Sequence, residues 1–286
     1  MIHELCKLYS IRTLCRVLDV ASSSFYSWRR RPQSRRQKEN TELLVMVRTS
    51  HKESRETYGS PRIHQDLLDL GCRVGKHRIA RLMREHSIRA KTKRKFRVTT
   101  NSRHQSPVAD NLLDRQFTCD APNKRWAADM TYIWTLEGWL YLGVILDLFN
   151  RKIVGWATSS RIDEALVNRV FDAAVRSRRP SPGLLHHSDR GSQYAAGDFQ
   201  DRLGRGGFLC SMSRKGNCWD NAVVESFFAT LKTELIGGRV FATREEANRE
   251  IFEYIEVWYN RKRRHSALGY LSPERFETAH AATLVA

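Results

Sequence analysis

The pattern of residues 125–157 constrains the fold of this chain more than any other feature. From Arg125 to Trp134 the side chains divide into two alternating sets, one containing Asp129 and Thr131 and the other entirely apolar or aromatic, which is the two-residue repeat of a β-strand. Residues 139–146 then form an unbroken apolar run, as in a central strand buried on both faces. A third run, residues 153–157, follows an Asn-Arg turn. The segment is predicted to be an antiparallel meander of three strands.

Helical and strand-like segments alternate after this meander. The periodicity predicts helices over residues 163–178 and 195–203, short strands over 184–187 and 208–212, and a further helix starting near residue 220. Three strands followed by alternating helices and strands are typical of a mixed α/β sheet. We therefore expect a five-stranded sheet with helices on both faces.

Residues 1–97 have a helical rather than a strand-like pattern. Residues 1–35 have the outline of a helix-turn-helix, for which DNA reading and a plain helical bundle are equal alternatives. A basic run over 29–38, broken by Pro32, is predicted to be a linker. Residues 36–97 repeat the outline more clearly, with Pro61 in a first helical turn and Gly71 just past a helix end. The basic residues expected to contact DNA there are Arg78, Arg81, Lys93, Arg94 and Lys95.

Positive charge is concentrated in the first third of the chain. The net charge is +18, and residues 1–100 contain 24 Lys and Arg against 9 Asp and Glu, whereas residues 101–286 contain 25 against 22. This division suggests a basic binding region followed by a domain whose acids have another task. Residues 98–122 are polar and irregular and are predicted to be the linker, with the second domain over 123–278 and a tail over 279–286. Membrane binding is disfavoured, since no lipidation motif or strongly amphipathic basic helix is present. The six scattered cysteines favour a reduced cytoplasmic interior.

Three acidic residues form the candidate catalytic site. Asp129 lies within the first predicted strand, Asp189 follows a short strand after 59 intervening residues, and Glu225 follows on a helix after another 35. In helical projection Glu225 lies at the rim of the apolar face, near Asn221 and Lys232. Carboxylates are the ligands that hard divalent ions prefer, and such ions act on phosphodiesters.

Ordinary surface or structural roles for these acids remain open on this pattern alone. Asp147 is a rival ligand candidate, for which a turn role is favoured because it lies beside the Asn-Arg turn. Asp220 is predicted to cap the helix that carries Glu225.

Several motifs together resemble the DDE transposases of the bacterial insertion-sequence-three family, in particular their second-frame product. They are Trp126-x-x-Asp129-x-Thr131-Tyr132, His187-Ser188-Asp189-x-Gly191-Ser192-Gln193-Tyr194, Asp220-Asn221-Ala222-x-x-Glu225-Ser226-Phe227-Phe228, the C-terminal stretch from Trp258 to Pro273, and Tyr58-Gly59-x-x-Arg62-Ile63. A basic residue seven positions after the glutamate is also expected in this family, and Lys232 supplies it.

The resemblance implies a ribonuclease-H-like fold of the retroviral-integrase superfamily and DNA strand cleavage followed by strand transfer at the ends of an insertion element. It implies that Asp129, Asp189 and Glu225 are catalytic and hold two Mg²⁺ ions, for which Mn²⁺ can substitute. Lys232 is expected to hold a phosphate near the scissile bond, and Asn221 to orient Glu225 or to contact DNA.

The resemblance also implies the partners of the protein. They are double-stranded DNA at the element ends and at the target, other copies of the chain on DNA, and the upstream-frame product of the same element, because the chain begins near where the family's second frame begins. The expected location is the bacterial cytoplasm, in association with the nucleoid. Two alternatives are a nuclease of the same fold that cuts without joining strands, and a catalytically silent DNA-binding repressor of its own element.

Overall fold

The computed structural model describes residues 2–91, 109–214 and 218–285. The first of these stretches is helical, as its periodicity predicts. Its helices are α1 (Ile2–Leu5), α2 (Ile11–Val17), α3 (Ser22–Arg30), α4 (Arg35–Glu53), α5 (Ser60–Asp69) and α6 (Lys76–Glu85). No helix among the described residues is long and apolar enough to cross a bilayer.

Helix α4 begins inside the run that was expected to be a linker. The Ser34 hydroxyl accepts a hydrogen bond from the Gln37 backbone N–H at 3.2 Å, and the Gln37 side chain accepts one from the Ser34 N–H at 2.7 Å. These two bonds form a capping box, which satisfies free N–H groups at a helix start and fixes it at Arg35. The predicted linker over 29–38 is therefore wrong at both ends, because α3 continues to Arg30 and α4 begins at Arg35.

The remaining strands and helices build a five-stranded mixed sheet with the order β3-β2-β1-β4-β5. The strands are β1 (Arg125–Thr135), β2 (Gly138–Asp147), β3 (Ile153–Ser159), β4 (Leu185–Ser188) and β5 (Leu209–Met212). The helices are α7 (Glu164–Arg178), α8 (Gly197–Arg205), α9 (Ala222–Leu231), α10 (Arg244–Phe252) and α11 (Pro273–Val285). β1, β2 and β3 form the predicted antiparallel meander, and β4 and β5 extend it in parallel with β1.

Successive residues of β1 enter two different cores, so the sheet is covered on both faces. Trp126 and Ala128 pack in one core with residues of α7 and α8. Ala127 and Ile133 pack in the other with residues of α9 and α10. This is the alternation that the sequence predicts for residues 125–134.

The helical N-terminal part packs directly against the sheet-containing part. Tyr58 is buried, its ring lies 5.8 Å from that of Trp258, and its hydroxyl accepts a hydrogen bond from the Arg264 backbone N–H at 2.7 Å. The Arg264 guanidinium also reaches Asp66 and Asp69 of α5, each at 2.5 Å. Residues of α4, α5 and α6 accordingly share one apolar core with residues of α9 and α10.

Two predicted connecting segments are more ordered than expected. Residues 98–108 of the predicted linker lie outside the described residues, but Leu113 is buried and the Ser211 hydroxyl accepts hydrogen bonds from the backbone of Leu112 and Leu113. At the other end, α11 continues to Val285, so the predicted tail over 279–286 begins as helix.

Candidate active site

Asp129 and Asp189 lie at matching positions where two parallel strands part. β1 and β4 pair only from Arg125 with Leu185 to Ala127 with His187. Asp129 and Asp189 each follow the last paired residue of their strand by two positions. The two carboxylates are therefore near each other, and the charge of Asp189 raises the pKa of Asp129. We call the space between the parting strands the crevice, since the end of such a parallel ladder is where α/β sheets place ligands.

Local hydrogen bonds hold both aspartates in place. One carboxylate oxygen of Asp129 accepts from the Met130 N–H at 2.7 Å, and one of Asp189 accepts from the Gly191 N–H at 2.9 Å. The neighbouring Arg190 side chain donates to the Ser213 carbonyl at 2.6 Å. The loop after β4 is thus attached to the chain that follows β5.

Helix α9 brings Glu225 to the same crevice. Val224, Phe227, Phe228 and Leu231 are buried on the core side of this helix, whereas Glu225 lies at its exposed edge, as the helical projection predicts. The Asn221 side chain donates to the Ala128 carbonyl at 3.2 Å. Because Ala128 precedes Asp129, this bond fixes the start of α9 next to β1 at the position of Asp129.

The position of Asn221 bears on its expected role. Its side chain is 4% exposed and lies between α9 and β1, which supports the orienting role and gives no support to direct DNA contact.

Asp220 does not cap α9, contrary to expectation. The residue at the N-cap is Asn221, and Asp220 lies in a 3₁₀ turn over Cys218–Asn221. Its carboxylate instead accepts hydrogen bonds from the Arg214 backbone and guanidinium at 2.8–2.9 Å, from Arg115 at 3.0 Å and from Asn111 at 2.9 Å. Asp220 therefore ties the segment before α9 to the segment before β1.

The three candidate acids influence one another electrostatically. The pKa of Asp129 is raised well above its usual value, first by burial and then by the negative charge of Asp189, with a smaller contribution from Glu225. The pKa of Glu225 is also raised, by removal from water and by Asp189. Such mutual repulsion is what a bound cation would relieve.

Lys232 supplies a positive charge at the same place. It follows α9 directly, at the start of a π-helical turn over Lys232–Ile236, and its ammonium group lies 5.2 Å from the centre of the Tyr132 ring. Burial lowers the pKa of Lys232 to about 8, while the charge of Asp129 acts in the opposite direction. Lys232 in turn lowers the pKa of Asp129.

Two residues beside the acids have roles that the sequence pattern does not specify. Tyr194 is buried, and its pKa is raised by burial and then by the charges of Asp129 and Asp189, so it forms part of the wall around them.

The His187 ring is held between the hydroxyls of Ser211, at 2.8 Å, and Ser213, at 3.2 Å. Burial lowers the pKa of His187 to about 4, so this histidine is a neutral structural residue at pH 7.

The three carboxylates are the candidate ligands for a metal ion. No group of three or more His, Cys, Asp or Glu side chains in the described ranges is already arranged to hold an ion. The three carboxylates share one crevice without forming a preformed cage, and they offer the oxygen ligands that Mg²⁺ prefers. The rival candidate Asp147 is paired in the sheet with Trp126 and accepts hydrogen bonds from the backbones of Asn123 and Phe149, which is the favoured turn role.

Of the five residues expected to bind DNA in the helical domain, the structure describes Arg78 and Arg81, and both lie near acidic side chains. Arg78 donates to Asn40 at 2.9 Å and pairs with Glu39 at 3.2 Å. Arg81 is more exposed and lies 3.6 Å from Glu85. Lys93, Arg94 and Lys95 lie outside the described residues, so DNA contact by all five stays a prediction.

Comparison with known proteins agrees with this arrangement. The family of integrase core domains matches residues 120–218 and 225–280, and a family of HTH-like domains matches residues 37–96. The transposase InsF of insertion sequence IS3A from Escherichia coli K12 is 42% identical over 276 residues, covering 96% of each chain. This chain belongs to the transposases of the IS3 family. It therefore contains an integrase core of ribonuclease-H-like fold and acts as a DNA transposase.

The chain is also similar to proteins from other sources. A 31 kDa protein of insertion element IS600 from Shigella sonnei, described as uncharacterized, is 47% identical over 263 residues, covering 92% of this chain and 97% of that protein. The catalytic core domain of HTLV-2 integrase, solved in complex with magnesium, is 14% identical with a TM-score of 0.43, covering 55% of this chain and 98% of that one.

Proposed function

We propose that Asp129, Asp189 and Glu225 are the catalytic and metal-binding residues with which this transposase cleaves and joins DNA strands at the ends of an insertion element. The observation that carries the proposal is the matching position of Asp129 and Asp189 beyond the β1–β4 ladder. The attachment of α9 at Ala128 supports Glu225 as the third member. The raised pKa of Asp129 further supports a cation as the natural occupant of the crevice.

A set of three carboxylates suits two Mg²⁺ ions, with Mn²⁺ as a substitute, because it supplies only oxygen ligands. Bound there, such ions would stabilise the charge on the attacking and leaving oxygens of a phosphodiester. The protein's part is to hold the carboxylates on β1, on the loop after β4 and on α9, with the buried Tyr194 beside Asp129 and Asp189. No serine or tyrosine nucleophile is required by this chemistry.

Lys232 and Asn221 have supporting roles in this proposal. Lys232 holds a DNA phosphate beside the carboxylates, since its ammonium group is close enough to Asp129 to lower the pKa of that residue. Asn221 keeps α9, and with it Glu225, in register with β1 through its bond to Ala128.

The test is strand cleavage and joining on a labelled DNA end of the element, with Mg²⁺ and with the upstream-frame product added. Asp189→Asn and Glu225→Gln are expected to lower both steps by more than about 10³-fold, as for other residues of a catalytic unit. Asp201→Asn on α8 removes one carboxylate elsewhere and serves as the matched control, with activity equal to wild type. Cleavage by Asp189→Asn at the wild-type rate would show that the assignment is wrong.

The same assay separates transposition from simple cutting. Joined products are expected from the wild-type protein, because a newly exposed 3′-hydroxyl can attack a second phosphodiester in the same site. Cleavage that is never followed by joining, even with the upstream-frame product present, would favour a nuclease.

The proposed reaction also sets the partners. Two element ends and a target must be held together, so we expect double-stranded DNA as substrate, self-association of this chain on DNA, and cooperation with the upstream-frame product. Because such DNA is chromosomal, the expected place of action is the bacterial cytoplasm at the nucleoid.

A further inference from the structure

A cavity of about 430 Å³ lies between the helical N-terminal part and the back of the helix that carries Glu225. One wall is formed by residues of α9, namely Val223, Ser226, Phe227 and Thr230. Arg62 of α5 and Lys91 line it from the N-terminal part. The exposed Lys91, Ser266 and Ala267 form its rim, so it opens to solvent. The cavity is thus separate from the crevice with the three acids.

Positive charge dominates the lining of this cavity. The cations along it are Arg62, Lys91, Arg151 and Arg263, and the acid is Glu234. His265 also lines the cavity but is neutral at pH 7, because burial and the neighbouring arginines lower its pKa well below the usual value. Two of the cations are compensated, because Arg263 pairs with Glu234 at 2.8 Å and Lys91 pairs with Glu56 at 3.3 Å.

Arg62 and Arg151 are not neutralised in this way. Arg62 lies over the Tyr58 ring, 5.3 Å from its centre. Arg151 donates one amino group to the Phe117 carbonyl at 3.1 Å, while its other amino group, Nη1, is buried without a hydrogen-bond partner among the described residues. The Nε2 atom of His265 is likewise buried and unpartnered there. Two buried nitrogens of the lining, one on Arg151 and one on His265, therefore have no hydrogen-bond partner among the described residues.

Leaving such groups unpaired is costly in a folded protein. A buried guanidinium without an acceptor loses the hydration it had in water, and an anion of opposite charge recovers that loss. Desolvation lowers the pKa of both Arg62 and Arg151, and the charge of Arg263 lowers that of Arg62 further. The charges of Glu234 on Arg62 and of Asp147 on Arg151 act in the opposite direction, but the pKa of each arginine stays below its usual value. The stretch that follows Lys91, residues 92–108, contains no Asp or Glu, so it brings no counter-charge.

We propose that this cavity is a binding site for an anion of the phosphate class, held by Arg62 and Arg151. Guanidinium groups suit phosphate because their planar donors match its oxygens in pairs. His265 and the hydroxyls of Ser226 and Thr230 offer further donors along the same lining. The volume falls within the range of small-molecule sites, so it accommodates a phosphorylated compound or a backbone phosphate of DNA. An occupant would join α5 to the helix of Glu225 and so connect the DNA-binding and catalytic parts.

The first test measures thermal unfolding of the full chain in sodium phosphate against sodium chloride of equal ionic strength, without DNA or divalent ions. The wild-type protein is expected to show a saturable rise in melting temperature with phosphate. The double variant Arg62→Gln, Arg151→Gln is expected to bind phosphate about tenfold or more weakly, because two charged donors are lost. Arg176→Gln, an exposed position on α7 with the same charge change, should keep the wild-type response. An equal response of the wild type and the double variant, or no response of the wild type, overturns the proposal.

A second variant tests the site without removing an arginine. Thr230→Glu places a carboxylate in the cavity. Glutamate has a high helix propensity, so the substitution is compatible with α9. It is expected to raise the melting temperature in chloride and to abolish the phosphate response, since the built-in anion replaces the bound one. A lower melting temperature together with an intact phosphate response would contradict the proposal.

Binding of element-end DNA, followed by fluorescence anisotropy in phosphate-free buffer, identifies the source of the anion. If DNA supplies the phosphate, the double variant binds DNA more weakly, and free phosphate competes with DNA for the wild-type protein. The plot of log binding constant against log salt concentration then becomes shallower by about one unit of slope for each lost phosphate contact. If a small phosphorylated molecule supplies it, the wild type and the double variant bind DNA equally. Once the thermal test has shown phosphate binding, either result identifies the source of the anion, and neither depends on which residues cleave DNA.

Discussion

Asp220 joins three segments of the chain beside the catalytic helix. Its side chain is completely buried and accepts from Asn111, Arg115 and Arg214. These donors come from parts of the chain about 100 residues before it and six residues before it. One carboxylate therefore sets where the loop ahead of α9 lies relative to the sheet.

Replacement of Asp220 by Asn is expected to lower the free energy of unfolding by about 2 kcal/mol at pH 7, because charged hydrogen bonds become neutral or are lost. The bonds from Arg214 lower the pKa of Asp220 below its usual value. A lowered pKa means that this stabilisation is complete above about pH 4, the ordinary pKa of an aspartate, and is lost as the pH falls toward the folded-state value. Urea unfolding at pH 7 and pH 3 should show the difference between variant and wild type shrinking at pH 3. A difference that stays constant with pH would contradict this account.

Lys232 is a cation whose charge lowers the pKa of the candidate acid Asp129. Lys232→Gln is expected to lower strand cleavage by about 10²-fold, the usual effect of removing one donor that stabilises developing charge. Lys232→Arg should restore part of the rate, because it restores the charge. Cleavage is measured on the labelled element end, and DNA affinity is measured separately by anisotropy. A loss confined to DNA affinity would show that Lys232 acts in binding alone.

The sequence predicts which acids come together better than it predicts their hydrogen bonds. Asp129, Asp189 and Glu225 can be recognised from the sequence, because each lies in a short motif on or next to a strand or helix that periodicity predicts. The partners of Asp220 are not, since Arg115 and Asn111 reach it only through the tertiary fold, and a local rule suggested a cap instead. The buried position of Asn221 likewise depends on contact with β1.

At the scale of elements, α7 lies unusually close to β3. A Cβ atom added at Gly155 would lie 2.5 Å from the Val170 carbonyl oxygen and 2.7 Å from the Ala174 Cβ. The backbone of the helix cannot move aside as a flexible side chain could. Glycine is therefore required here for the helix to cover the sheet.

Gly155→Ala is expected to destabilise the protein by about 2–3 kcal/mol, because the strand and α7 must separate. Gly204→Ala in α8 is the matched control, since an added Cβ there meets nothing within 4 Å. The control should be neutral or stabilising by up to about 1 kcal/mol, as expected for alanine in a helix. Urea unfolding measures both variants. Equal stability of Gly155→Ala and wild type would contradict the close packing of α7 on β3.

The strands and helices of the sheet region could be predicted from hydrophobic periodicity, because each segment has one clear apolar pattern of either the strand or the helix type. The start of α4 was missed because a run of arginines after Pro32 resembles a linker, while the capping box of Ser34 and Gln37 determines the helix start. The residues before β1 were also predicted to be a linker, because their sequence is polar and irregular. Their attachment through Ser211 involves a residue about 100 positions away.

At the scale of the whole molecule, the DNA-binding and catalytic parts are joined by a buried polar contact. Arg264 is 8% exposed and reaches Asp66, Asp69 and the Tyr270 carbonyl, while its backbone N–H bonds to Tyr58. Both the contact and the cationic cavity lie where the two parts meet. No sequence pattern predicts this junction, because the paired residues are nearly 200 positions apart.

Arg264→Ala is expected to lower the free energy of unfolding by about 3 kcal/mol, because it leaves Asp66 and Asp69 without their shared cation in a partly buried place. Arg261→Ala is the matched control, since Arg261 is 63% exposed and lies 3.8 Å from Glu274, and exposed pairs contribute less than about 1 kcal/mol. Urea unfolding followed by tryptophan fluorescence compares the two, because Trp258 lies next to Tyr58 at the junction. An equal, small effect of both variants would mean that the two parts are held together by apolar packing alone.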